Sequence, residues 1–177
     1  MSKNILVIQA HDDMKTSRVN KRFSKEIENL DNVEIRDIKA LYPDYKIDVQ
    51  AEQEAIKKAD KIVFQFPMFW FNAPSILKEW MDKVYTLGFA FDVTKDGYQK
   101  RELDGKEFML AVSMGGHESA YSGDYKSVDE CLTPYIYTSK FCGMKVLEPF
   151  YTYRAMQNLS DEKLEEIAAE FKKAILR

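Results

Sequence analysis

The sequence predicts an α/β domain in which helices cover both faces of a parallel, doubly wound, five-stranded sheet. Three observations carry that expectation. Short, continuously apolar runs recur along the chain (Ile5-Leu6-Val7-Ile8, Ile62-Val63-Phe64 and Phe108 to Val112), as strands buried on both faces require. Between them lie longer segments whose apolar residues return at helical spacing. Strands that alternate with helices pair in parallel through crossover connections.

The elements follow in order. Ile5 to Ile8 is the first strand. From Ser17 onward, Val19, Phe23, Ile27 and Leu30 form the stripe of the first helix. Val33, Ile35 and Ile38 alternate mostly with charged residues, the pattern of a half-exposed edge strand. Ala51 to Ala59 is a short helix, and Lys61 to Phe66 is the next buried strand. Ser75 to Leu87 is a helix with a broad apolar face of Ile76, Leu77, Trp80, Met81 and Val84. The polar stretch Asp92 to Lys106, with Gly97 and Gly105, reads as one long surface excursion. Phe108 to Val112 is the fourth sheet strand and Val146-Leu147 begins the fifth. Ser127 to Phe141 is helical in part, with Pro134 starting or kinking a segment. The last helix opens at Ser160 as N-cap, with Asp161 and Glu162 complementing the dipole and Leu159 stapling onto Leu164. Its inward stripe is Leu164, Ile167, Ala168, Phe171, Ala174 and Ile175. With the alternating strand at the edge, the strand order is 2-1-3-4-5, the flavodoxin-like order.

Composition narrows the function classes. The 177 residues suit one domain spanning 1–177 with a substantial core. Hydrophobic residues at 45% and charged residues at 31% are ordinary for a water-soluble fold. A net charge of −3 and a pI near 5.5 argue against a nucleic-acid binder held by phosphate contacts. No apolar run approaches the length of a membrane span. The start Met1-Ser2-Lys3-Asn4 lacks the pattern of a signal peptide, so a cytoplasmic location is the default expectation. Cys131 and Cys142 are then expected as reduced thiols. With His11 and His117 they give no metal-ligand spacing, so no metal site is expected.

In sheets of this order, ligands bind beyond the carboxyl ends of the strands, at the switch point between the first and third. Three loops meet that condition. The first, Gln9 to Asn20, places Thr16 and Ser17 at a helix start, where free N–H groups make a phosphate cradle. His11, Lys15 and Arg18 add positive character; Ser17 as a plain N-cap is an equal alternative. The second loop, Pro67-Met68-Phe69-Trp70-Phe71, puts four large apolar side chains in a row where bulk is normally avoided. They cannot all reach a core from one loop. Some must cover a flat ligand such as a flavin ring, or meet a partner subunit. The third, Ser113-Met114-Gly115-Gly116-His117 to Tyr121, carries paired glycines that allow close backbone approach. It is neither a G-x-G-x-x-G fingerprint nor a Walker A sequence. Asp12-Asp13 suggests a Mg²⁺-binding receiver, but the third strand ends in Phe66-Pro67 instead of the aspartate that such a domain needs.

Taken together, these loops resemble the NAD(P)H:quinone oxidoreductase family of flavodoxin-like flavoproteins. The resemblance is nearest to the short members that include the ancillary oxidoreductase of the glutathione-gated potassium efflux system. Matching positions are His11 with Ser17-x-x-Asn20, Leu41-Tyr42-Pro43-Asp44 with Ile47-Asp48, and Ala51-Glu52-Gln53. Pro67-Met68-x-Trp70, Leu77-Lys78-x-Trp80 with Asp82-Lys83-Val84, and Gly115-Gly116 with Glu118-Ser119 continue the series. The resemblance implies a homodimer that uses FMN, with FAD the alternative, and NAD(P)H as co-substrate. It implies hydride transfer through flavin N5 to a quinone or other small aromatic acceptor, by a ping-pong mechanism. Nitro or azo reduction and a regulatory role as a membrane transporter subunit are the alternatives. By position, His11, Ser17, Arg18, Val19, Asn20, Pro67, Met68, Phe69, Trp70, Phe71, Ser113, Met114, Gly115, Gly116 and Tyr121 line the flavin. Tyr121 and His117 are the candidate catalytic groups, although a surface-loop role is the stronger expectation for His117. Met114 stands where the family often has a threonine, which removes one hydroxyl. No histidine follows Tyr121, so a Tyr–His relay is not implied.

Overall fold

The computed structural model describes residues 2–157 and 159–177. Strand β1 (Ile5–Gln9) lies between β2 (Val33–Asp37) and β3 (Lys61–Pro67). Strand β3 pairs on its other side with β6 (Glu107–Ser113), and every pairing is parallel. The fifth position is shared by two short strands, β7 (Lys145–Val146) and β8 (Phe150–Thr152), both paired to β6. The order β2-β1-β3-β6-β7 is the flavodoxin-like order.

Strict alternation along the strands feeds two cores. On one face, Ile5, Val7, Val63, Met109 and Ala111 meet helices α1 (Val19–Ile27) and α7 (Asp161–Leu176). Phe23 stacks on Phe171 there at 4.8 Å. On the other face, Leu6, Ile8, Phe64, Phe66, Phe108 and Leu110 meet α2 (Ile38–Leu41), α3 (Val49–Lys58), α4 (Ser75–Val84), α5 (Val128–Cys131) and α6 (Thr133–Phe141). Both termini of α7 are satisfied. Ser160 Oγ accepts from the Lys163 N–H at 3.1 Å, Leu159 packs into the core beside Leu164, and buried Lys61 donates to the Ile175 carbonyl at 2.8 Å.

Four local expectations change. Ile38 does not extend the edge strand; it opens α2, because the Asp37 side chain caps that turn by accepting from the Ala40 N–H. The excursion after Phe91 is an ordered antiparallel hairpin of β4 (Phe91–Thr94) and β5 (Gly97–Lys100), with Arg101 paired to Asp92. The α4 helix stops at Val84, two residues before Thr86 accepts from Gln53 at 3.1 Å. The fifth strand is interrupted around Pro149, which has no N–H to give to a ladder. Cys131 is half-buried and Cys142 buried, and both are free thiols.

The second core holds one fully buried carboxylate. Glu52 on α3 accepts from Arg36 Nε at 2.9 Å through both oxygens, from the Tyr42 hydroxyl at 2.5 Å and from Trp80 Nε1 at 2.9 Å. Burial, followed by Glu52 itself, pushes the Tyr42 phenol up to about 12. These ties join β2, the segment after α2, α3 and α4. Tyr42, Glu52 and Trp80 all belong to the motifs that carried the family resemblance, so part of that signature specifies the fold and not the site.

Candidate functional site

The site begins with register. Gln9 pairs with Gln65, and Pro67 pairs with Ser113, which in turn faces Thr152. The three expected loops therefore leave the sheet side by side, and a fourth segment leaves β8 beside them.

In the first loop the Asp13 carboxylate accepts from the Lys15 N–H at 2.8 Å, and its carbonyl accepts from Thr16 Oγ1 at 3.1 Å. Asp13 is therefore part of the loop's architecture, and the Thr16 hydroxyl is already engaged. Ser17 is buried but does not cap; Arg18 occupies the N-cap position without a side-chain cap bond. Among the described residues, the backbone N–H groups of Ser17, Arg18, Val19 and Asn20 find no acceptor. They form the kind of helix start that holds an anion. The Arg18 guanidinium pairs with Asp161 at 2.7 Å, and the Val19 side chain sits in the core, so both would serve a ligand through their backbone. His11 is half-buried, and burial holds its imidazole below the usual range against the pull of Asp12, Asp13 and Asp37. Its Nδ1 accepts from the Asp13 N–H at 3.1 Å, which leaves the Nε2 proton free in the neutral ring.

The second loop separates its four side chains. Met68 turns into the core, and its N–H donates to the Ser113 carbonyl at 2.8 Å. Phe69 and Asn72 exchange backbone hydrogen bonds of 2.8 and 3.0 Å across a two-residue turn. Both central residues have positive φ, Trp70 at 50° and Phe71 at 63°. Tight hairpin turns of this kind normally take Asn-Gly, because a side chain there crowds the following carbonyl. Trp70 is 94% exposed, and Phe69 and Phe71 are exposed beside it. The Phe69 ring lies edge-on to His11 at 6.2 Å, and Phe71 lies edge-on to Tyr121 at 6.5 Å.

The third loop is held from the fourth segment. The Met114 N–H donates to Thr152, Ala155 donates back to Met114, and Arg154 donates to Gly116 at 2.8 Å. The Met114 side chain is fully buried, so it can offer a ligand only backbone. A Cβ on Gly115 would lie 2.7 Å from Met156 Sδ, the end of an exposed side chain packed over this turn. Burial raises the Tyr121 phenol above its ordinary range, with the Gly116 N–H opposing, so it stays protonated at neutral pH. His117 is exposed, and its Nδ1 lies 2.9 Å from Ser119 Oγ and accepts from the Ser119 N–H. It caps the Glu118–Tyr121 turn.

Beneath the loops, Asn20 Nδ2 donates to Ser113 Oγ at 2.8 Å. Asn20 Oδ1 and Thr152 Oγ1 are buried and lack a partner among the described residues. Such groups are costly to leave unmet. Together with the free helix-start N–H groups and the glycine turn, they fit a ligand that combines an anionic end with a polar ring. Thr152, Tyr153 and Met156 were not singled out from sequence. The signal for them was the rule that ligands meet strand ends, had the fifth strand been followed as far as Thr152.

Comparison with known proteins agrees with this architecture. The family model described as a flavodoxin-like fold matches residues 3–175. The chain belongs to this family. Among its relatives is general stress protein 14 of Bacillus subtilis, 43% identical over 84% of each chain. Another is the glutathione-regulated potassium-efflux system ancillary protein KefF of Salmonella typhimurium, 40% identical over 97% of this chain and 95% of the relative. The crystal structure of general stress protein 14 from Treponema denticola, solved in complex with FMN, superposes with a TM-score of 0.85. It shares 34% identity, and 97% of each chain is covered. The family expected from the loop motifs is therefore the family found.

Proposed function

We propose that the protein is an FMN-dependent NAD(P)H oxidoreductase that passes two electrons, as hydride, to quinones or similar aromatic acceptors. The observation that carries this reading is one convergence at the strand ends. Unsatisfied N–H groups at the start of α1, the buried Asn20 and Thr152 oxygens, and an exposed aromatic turn all lie on segments that leave the carboxyl ends of neighbouring strands. The FMN held by the Treponema relative and the KefF relatives support it.

Bound flavin would supply the hydride chemistry itself. The helix-start N–H groups from Ser17 to Asn20 hold its phosphate, and backbone of the Pro67–Phe71 and Ser113–Gly116 segments holds the ring's polar edge. Phe69, Trp70 and Phe71 cover a ring face or meet the second subunit of a homodimer. His11 supplies an Nε2–H donor. The Tyr121 phenol, kept protonated by burial, donates a hydrogen bond where charge develops on the acceptor. Donor and acceptor take turns at one open face, which gives ping-pong kinetics.

Anaerobic titration of the FMN-reconstituted protein with NADPH, then menadione, tests this directly. Bleaching near 450 nm followed by recovery is expected; failure to retain flavin would end the proposal. Tyr121→Phe is expected to lower kcat with menadione about tenfold, the worth of one hydrogen bond to a developing charge of about 1.4 kcal/mol. The rate of flavin reduction by NADPH should hardly change, which stopped-flow measurement separates. The KefF relatives favour a second reading, an ancillary subunit of a potassium efflux transporter. Co-expression with such a transporter and measurement of efflux tests it. Among the described residues no helix is long and apolar enough to cross a membrane.

A further inference from the structure

A cavity of about 610 Å³ opens beside Tyr121. Tyr121, Tyr151 and Tyr153 line it, together with Glu118, Asp129 and Glu148. No lysine or arginine is among its lining residues, and His117 is the one histidine there. Tyr121 and Tyr153 lie 5.9 Å apart with their planes inclined at 47°. Phe71 lies edge-on to Tyr121 at 6.5 Å, so Tyr121 links the aromatic turn to the wall of the cavity.

The charges are available to a ligand. The Tyr151 hydroxyl donates to Asp129 Oδ1 at 2.6 Å, which fixes that carboxylate in the wall. Among the described residues Glu118 and Glu148 form no ion pair, whereas nearby Lys126 is engaged by Glu130 at 3.1 Å. Aromatic faces and carboxylates act with the same sign. A cation over a ring gains about 0.5–2 kcal/mol from the quadrupole, and each carboxylate adds a screened attraction. An anion of the same shape meets repulsion from both.

We propose that this cavity is a subsite for a lipophilic or aromatic cation. It deepens the oxidoreductase reading, on which its second half rests. As part of the acceptor site it favours acceptors that carry a positively charged substituent and disfavours sulfonated or carboxylated ones.

Two tetraphenyl ions of matched shape and opposite charge test the binding half on the protein as purified, without NAD(P)H or acceptor, which separates the cavity from turnover. Calorimetry should show tetraphenylphosphonium binding at least tenfold more tightly than tetraphenylborate at 20 mM salt, with the preference shrinking at 500 mM. The double variant Glu118→Gln with Glu148→Gln should lose at least fivefold of the phosphonium affinity. Equal binding of the two ions, or binding indifferent to both glutamines, would overturn the proposal. The second half is read by kcat/KM for a trimethylammonium-substituted naphthoquinone against its sulfonated counterpart, with menadione as neutral reference. A cationic preference of at least fivefold supports it. Turnover of menadione without charge preference rejects the subsite's role at the acceptor. Absence of any menadione turnover rejects the oxidoreductase reading instead, and leaves the calorimetry to decide the cavity by itself.

Discussion

Glu52→Ala is expected to destabilise the protein by about 3–5 kcal/mol, the cost of breaking a buried ion pair by removing one partner. The carboxylate is fully buried and accepts from Arg36, Tyr42 and Trp80. Deleting it orphans the Tyr42 and Trp80 donors, each of which loses more than its net hydrogen-bond contribution, and leaves Arg36 only its pair with Glu34 at 3.0 Å. For a chain of this length such a loss lowers Tm by on the order of 10 °C. Glu52→Gln keeps the shape and one acceptor oxygen while removing the charge, and is expected to cost about half as much. Thermal and urea denaturation measure both. The network ties β2, α3 and α4 in the core and uses no residue of the Gln9–Asn20, Pro67–Phe71 or Ser113–Tyr121 loops, so FMN stoichiometry at 10 °C should be unchanged in either variant. A Glu52→Ala protein as stable as the parent would remove Glu52 as the tie between these elements. A stable protein unable to hold FMN would move the residue from the fold to the site.

That network also shows what could be read from the sequence and what could not. The apolar runs at Ile5, Ile62 and Phe108 can satisfy their faces only inside a covered parallel sheet, so the layers and strand order followed from pattern. The edge strand fared less well. Its fifth position is two short pieces around Pro149, too short for any periodicity. The hairpin from Phe91 to Lys100 is largely exposed, so it carries no burial alternation to betray it. At the site, the loops were found by position and their residues by resemblance. Their division of labour depended on side-chain direction, which sequence does not give. Met68 and Met114 turn inward, while Trp70 and Phe71 turn out. Tyr42, Glu52 and Trp80 illustrate the same limit, since a motif records selection without saying whether it serves the core or the ligand.

The aromatic turn supplies the sharper test, because stability and function should move in opposite directions there. Replacing Trp70 by Asn and Phe71 by Gly installs the residues that a turn with two positive φ angles favours. A left-handed conformation costs a side-chain-bearing residue about 1–2 kcal/mol. Asn tolerates it better and Gly bears no such cost, although Gly's freedom in the unfolded chain returns part of the gain. The net expectation is about 1 kcal/mol of added stability and a rise in Tm of a few degrees. FMN affinity should fall about a hundredfold, or 2.7 kcal/mol, as two exposed aromatic faces are lost from the cofactor. Such a split is how strain held at a functional site shows itself. The single substitutions divide the effect. Phe71→Gly also removes the contact with Tyr121 and should slow acceptor reduction, whereas Trp70→Asn should act on cofactor or subunit affinity, told apart by sedimentation at matched FMN occupancy. If the double variant is less stable than the parent, the turn is held by packing and not strained. If it is more stable and binds FMN unchanged, the aromatic surface serves something other than the flavin.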